Sequence, residues 1–163
     1  RSEIEKLSLY ATGRATIDVE DVEAIVGDAS EQNSDRIIDH AAAGRTGAAV
    51  TEFDRAMAAG ENAQVIIGAI QRYFHRLHRV RASIDGGRSF DDATRSLRPP
   101  LFFKQKTVFQ AQVAQWTSDR LSDARARIAR AALAARRGGD LEAVIAERLL
   151  IELGALANAG RRS

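Results

Sequence analysis

Hydrophobic positions recur at helical spacing along almost the whole chain. Ile4, Leu7 and Leu9 follow the capping-box pattern Ser2-Glu3-Ile4-Glu5 and predict a first helix, with Gly13 as its stop. Asp18 is a suitable N-cap for a second, whose Val19, Val22, Ile25 and Val26 form one face before Gly27. From Gly27 to Ser34 the residues are polar and turn-forming, which predicts a linker and a domain boundary after residue 27. Ser34 then caps a short helix bearing Ile37 and Ile38 and closed by Gly44. The next carries Val50, Phe53 and Met57 and stops at Gly60, so these two read as a short antiparallel pair.

The clearest periodicity starts at Asn62. Val65, Ile66, Ala69, Ile70, Tyr73, Phe74, Leu77, Val80 and Ile84 make one continuous stripe that ends at Gly86-Gly87. Ser89 and Asp92 stand at capping-box spacing and open a short helix to Leu97. Arg98-Pro99-Pro100 must break it, because neither proline donates a backbone hydrogen bond. A helix resumes near Leu101 with Phe102, Phe103, Val108, Phe109, Val113 and Trp116. Thr117 or Ser118 caps the following one, with Leu121, Ala124, Ile128, Ala131 and Leu133, ending at Gly138-Gly139. Asp140 is expected to cap the last, which carries Leu141, Val144, Ile145, Leu149, Ile151, Leu153 and Leu156. No alternating strand pattern and no internal repeat is present. The fold class is all-α, a multi-helix bundle.

Composition narrows the chemistry. The 163 residues contain no cysteine, which excludes a disulfide scaffold, cysteine-ligated metal and a thiol nucleophile. No apolar run approaches the roughly 18 residues of a membrane span, and the charged, amphipathic opening does not resemble a signal peptide. A cytoplasmic location is the expectation. The 24 Lys+Arg against 22 Asp+Glu leave a net charge of only +2, so distribution matters more than the sum. The first 35 residues are acidic on balance, whereas residues 71–81 carry Arg72, Arg76, Arg79 and Arg81 with no acid.

Candidate catalytic sets do not assemble. His75 and His78 are three apart, but there is no HExxH and the next acid is Asp85; no metal is expected. Gly44-Arg45-Thr46-Gly47 has neither the lysine nor the preceding strand of a phosphate loop and reads as a helix–helix turn. The acid pairs Asp91-Asp92, Asp18 with Asp21 and Glu20 with Glu23 sit at helix starts, where they complement the dipole. No catalytic residue, cofactor site or metal site is therefore assigned. What remains is a row of guanidiniums, Arg72, Arg76 and Arg79 at i, i+4, i+7, beside His75. It suits phosphates or partner carboxylates, or is an ordinary solvated face. Phe102-Phe103-Lys104-Gln105-Lys106 offers aromatics beside lysines, which could stack single-stranded bases; the apolar character of that helix favours a core role for the phenylalanines. The candidate DNA or partner contacts are thus Arg72, His75, Arg76, Arg79, Phe103, Lys104 and Lys106.

These residues carry a family resemblance. Glu3-Ile4-Glu5-Lys6-Leu7-Ser8-Leu9-Tyr10, Thr16-Ile17-Asp18-Val19-Glu20-Asp21-Val22 and Val26-Gly27-Asp28 resemble the lid region of the delta subunit of bacterial DNA polymerase III. Ala69-Ile70-Gln71-Arg72-Tyr73-Phe74-His75-Arg76-Leu77-His78 resembles that family's C-terminal domain. Arg98-Pro99-Pro100-Leu101-Phe102-Phe103-Lys104 with Trp116 resembles its proteobacterial form. The likeness covers essentially the whole chain, on packing and interface patterns without a catalytic fingerprint. It implies the end of an AAA+-type helical lid over 1–27 and a helical collar, or oligomerisation, domain over 28–163. The implied function is that of a non-catalytic subunit of the clamp loader, which opens the sliding clamp and places it on primed DNA during replication.

The implied partners are the other loader subunits, of gamma/tau and delta-prime type. The clamp is met only through an N-terminal domain that this sequence does not include, and primed DNA is a candidate contact within the complex. Whether the chain counts as an enzyme stays open: no catalytic site is read in it, yet the resemblance makes it part of a nucleotidyltransferase holoenzyme. The alternative is a stand-alone helical nucleic-acid-binding module using the Arg72, Arg76 and Arg79 face. The stripes beginning at Asn62 and Asp140 are broader than one core face requires, so parts of both are expected to face partner subunits.

Overall fold

The structure, a computed structural model, describes residues 19–162. The expected capping box at Ser2–Glu5, the Gly13 stop and the Asp18 cap lie outside the described residues. Among the described residues seven α-helices follow in order: α1 (Val19–Ala42), α2 (Thr46–Ala58), α3 (Ala63–Asp85), α4 (Phe90–Arg95), α5 (Phe103–Gln115), α6 (Ser118–Arg137) and α7 (Glu142–Ala159). A 3₁₀ turn, Gly139–Leu141, precedes α7, and there is no strand among the described residues.

Helix α3 is the central post. It packs against α6, α5, α7, α4 and α1, while α2 bridges α1 and α7. Asn62 starts it as read from the sequence, its side-chain oxygen accepting from the amides of Gln64 (2.8 Å) and Val65 (3.3 Å). Ile66, Ile70, Phe74, Leu77 and Val80 are buried, and so is Ile67, which the stripe left out. Phe74 meets the Trp116 ring edge-on at 5.3 Å, a geometry that aligns the positive edge of one ring with the negative face of the other. The indole N–H donates to the carbonyl of Ala42 at 2.9 Å, fixing the end of α1 to the start of the α5–α6 connection.

Two boundaries differ from the sequence reading. The residues expected to form a linker, Gly27 to Ser34, lie inside α1, which runs unbroken across them. One glycine inside a helix costs only about 1 kcal/mol. The side chains that could have turned the backbone are engaged elsewhere: the Ser30 hydroxyl (3.3 Å) and the Asn33 amide both donate to the Glu61 carboxylate. Ser34, read as a cap, is buried in mid-helix. At the other end Asp140 does not cap α7. It sits in the 3₁₀ turn, and the α7 N-cap position, Leu141, makes no side-chain capping bond.

Close approaches lock α7 to α2. Gly154 lies against Thr46, where a Cβ would collide with the hydroxyl. The Asn158 amide donates to the carbonyl of Gly44 at 2.9 Å, and Gly44 adopts φ +80°, a conformation that favours glycine.

Candidate partner or nucleic-acid interface

The sequence-predicted row on α3 lines a groove. Arg72, His75, Arg76 and Arg79 form one wall of a cavity of about 610 Å³, with Arg98 and Pro99 at its end and α1 opposite. That opposite wall carries Glu31 and Asp35, so the groove is basic on one side and acidic on the other. Val65, Ala69 and Leu97 add an apolar contribution.

Arg76 is not a free guanidinium. It is half-buried, donates through Nη2 to the carbonyl of Pro99 at 3.1 Å, and has a buried Nε without a partner. Arg72, His75 and Arg79 are exposed. Adjoining the groove, a second cavity of about 120 Å³ shares Asp35, Ile38, Tyr73 and Arg76 and is lined further by Leu101, Lys104, Val108 and Phe109. Lys104 therefore belongs to the same neighbourhood as the arginine row. Phe103 and Lys106 line neither cavity: Phe103 is 92 % exposed at the start of α5, and Lys106 pairs with Asp91 at 2.9 Å.

The core role expected for the two phenylalanines is corrected here. Phe102 is 66 % exposed as the α5 N-cap residue, and the side chains that bury this helix are Phe109, Gln112 and Val113, a turn or more further on.

A polar relay that the sequence reading did not single out joins two residues of the small cavity's lining, Tyr73 and Asp39, to Gln112. The Tyr73 hydroxyl donates to the Gln112 side-chain oxygen, and Gln112 in turn hydrogen-bonds the Asp39 carboxylate. Burial pushes the Tyr73 phenol upward, reinforced by Asp39, so it stays a neutral donor. Asp39 is also raised, chiefly by burial and against the Gln112 bond; Asp35 is raised by burial and by Glu31, against Arg76. A signal for this relay existed. Gln112 falls at the spacing of Phe109, Val113 and Trp116, so a polar amide lies on the apolar face, and Asp35 and Asp39 are four apart. Gln112 lies far in sequence from both Tyr73 and Asp39, which is why the pattern alone did not join them.

Most polar atoms of these groups are engaged, the Arg76 Nε excepted. Tyr73 and Asp39 spend bonds on Gln112, and Arg76 spends one on Pro99, so these groups do not pair a nucleophile with a base. Among the described residues no group of three or more His, Asp or Glu side chains could hold a metal ion. No described helix is long and apolar enough to cross a membrane. Comparison with protein-family models, with curated proteins and with solved structures finds no match to this chain.

Proposed function

We propose that this chain is an assembly module: the collar part of a clamp-loader delta-type subunit, preceded by the end of its AAA+-type lid. It would join gamma/tau- and delta-prime-type partners so that the complex can load the sliding clamp on primed DNA. The observation that supports this reading most is the apolar surface left over once the core is complete. Val144 and Ile151 on the last helix, and Leu141 in the turn before it, remain exposed although the helix's other face is fully buried. Apolar side chains grouped on a folded surface favour association, because burial of each against a partner recovers free energy that water contact forfeits. The resemblance of the residue runs on α3 and at the double proline supplies the particular assembly.

The test is reconstitution. The 163-residue chain, mixed with the other loader subunits, is expected to co-elute with them as a stoichiometric complex in size-exclusion chromatography with light scattering. A chain that keeps its helical circular dichroism yet joins none of them would sink the reading.

A second reading draws on one specific observation, the exposure of Phe102 and Phe103 beside Lys104. It makes the chain a single-strand nucleic-acid binder, stacking bases on the rings and meeting phosphates with Arg72 and Arg79. Salt separates the two. Phosphate contacts impose a log–log slope of roughly −0.7 per neutralised phosphate of a single strand, whereas apolar assembly responds weakly. Fluorescence anisotropy of a labelled oligothymidine between low and moderate salt reads that slope directly.

A further inference from the structure

The groove between α6 and α7 lies apart from the arginine row on α3 and has a different character. It measures about 420 Å³, with Ala131, Ala134, Ile145 and Leu149 along its apolar sides and Arg127, Arg130 and Arg148 at its edge. Three guanidiniums face one carboxylate, Glu152, which is shared by Arg127 at 3.2 Å and Arg148 at 3.1 Å. Arg130 has no ion pair among the described residues, and the edge stays cationic.

Alongside the groove runs the outer face of α7. Val144, Arg148 and Ile151 recur at i, i+4, i+7, opposite the buried Ala146, Leu150 and Leu153; Val144 is 61 % and Ile151 48 % exposed. Between Val144 and Ile151 this face extends about 10 Å at the helical rise, the length of roughly two turns.

We propose that this face and the adjoining groove dock one amphipathic helix of a partner chain. Its apolar stripe would cover Val144 and Ile151, and its edge carboxylates would meet Arg130 and Arg148. Each part of the surface selects for that chemistry. Ala131 and Ala134 present no bulk on the α6 side, so a helix can settle between α6 and α7 as a ridge in a groove. The stripe is aliphatic and has no aromatic ring on which a base could stack, which disfavours a nucleic-acid strand. The unbalanced guanidiniums demand carboxylates, and an acidic helix supplies them in register with its own apolar positions. This inference rests on reading the chain as an assembly module and adds which face is used and what covers it.

The experiment uses the full chain and the other loader subunits. Arg130→Glu with Arg148→Glu reverses the edge, and Val144→Ser with Ile151→Ser removes the stripe. Arg88→Glu with Arg162→Glu makes the same charge change at exposed positions elsewhere. All targeted side chains are exposed, so circular dichroism melts are expected to match wild type.

The edge reversal is expected to weaken assembly by about 100-fold, as removal of paired interfacial charges does, and the stripe change by at least tenfold; the control pair leaves it unchanged. A photoreactive residue at position 144 should cross-link to a partner helix carrying carboxylates beside apolar positions. Assembly of both variants at wild-type strength overturns the docking face while leaving the assembly reading intact. Failure of wild type to assemble overturns both. Cross-linking at position 144 to a second copy of this chain, or to an oligothymidine added as competitor, also overturns the proposal.

Discussion

The two halves of α1 are one continuous helix with opposite fates. From Ser34 to Ala42 it is fixed in the bundle: Ile37, Ile38, Ala41 and Ala42 are buried, and the Trp116 indole grips the Ala42 carbonyl. From Val19 to Asn33 it exposes Val19, Val22 and Val26; Asp21 and Ile25 are buried, but Ile25 lies outside the main core cluster, and the Glu61 carboxylate holds this half through Ser30 and Asn33. Helical hydrogen bonds run through both halves alike. Continuity of secondary structure therefore carries no information about where stability is concentrated; burial does.

The largest expected effects lie in the anchored half. Trp116→Ala removes the ring that packs on Phe74 and strands the Ala42 carbonyl, and should cost about 3–5 kcal/mol in urea-denaturation experiments. Ile37→Ala should cost about 2–5 kcal/mol, whereas Val26→Ala, on the same helix, should stay within about 0.5 kcal/mol. Equal losses at Ile37 and Val26 would show that burial does not decide where this helix carries stability.

A smaller change tests the tether itself. Glu61→Ala removes the acceptor of Ser30 and Asn33, two partly buried hydrogen bonds that together contribute on the order of 1–3 kcal/mol at most. Its signature should be local. Amide hydrogen exchange over residues 19–33 is expected to accelerate by tenfold or more, with Ile37–Ala42 unchanged. Uniform acceleration along α1 would mean that the halves open together.

The same contrast explains what could be read from the sequence. Elements with a strong apolar period and a chemical start signal were legible: Asn62 caps α3, Ser89 caps α4 through the Asp92 amide and Thr117 caps α6, each as its side chain dictates. Gly27 to Ser34 misled because the turn propensity of Ser30 and Asn33 is a local property, overridden by a carboxylate about 30 residues away in the chain. The exposure of Phe102 and Phe103 was hidden for a related reason: residue type indicates burial only on average, and the double proline sets where α5 begins. The arginine row was found by spacing, but Arg76 was not separable from Arg72 and Arg79 until Pro99 folded onto it.

The smallest effect concerns charge on the anchored half of α1. Burial raises Asp39, so folding disfavours its charged form relative to the unfolded chain. A group raised in this way contributes stability fully below its ordinary value of 3.8 and loses that contribution as pH climbs through the raised one. Asp39→Asn should therefore match wild type near pH 3 and exceed it slightly at neutral pH, while an amide at this position can still bond Gln112. Asp85, at the surface end of α3, has the opposite sign. The bonds from Arg81 and Ser118 hold its carboxyl below the usual range, so its contribution is present above the ordinary value and is lost as pH falls through the lowered one. Asp85→Asn should then be slightly less stable than wild type at neutral pH and equal to it in strong acid. Urea melts of the two variants at both pH extremes place the buried and exposed carboxylates on opposite sides of wild type. Two shifts of the same sign would show that desolvation beside Tyr73 does not set the behaviour of Asp39.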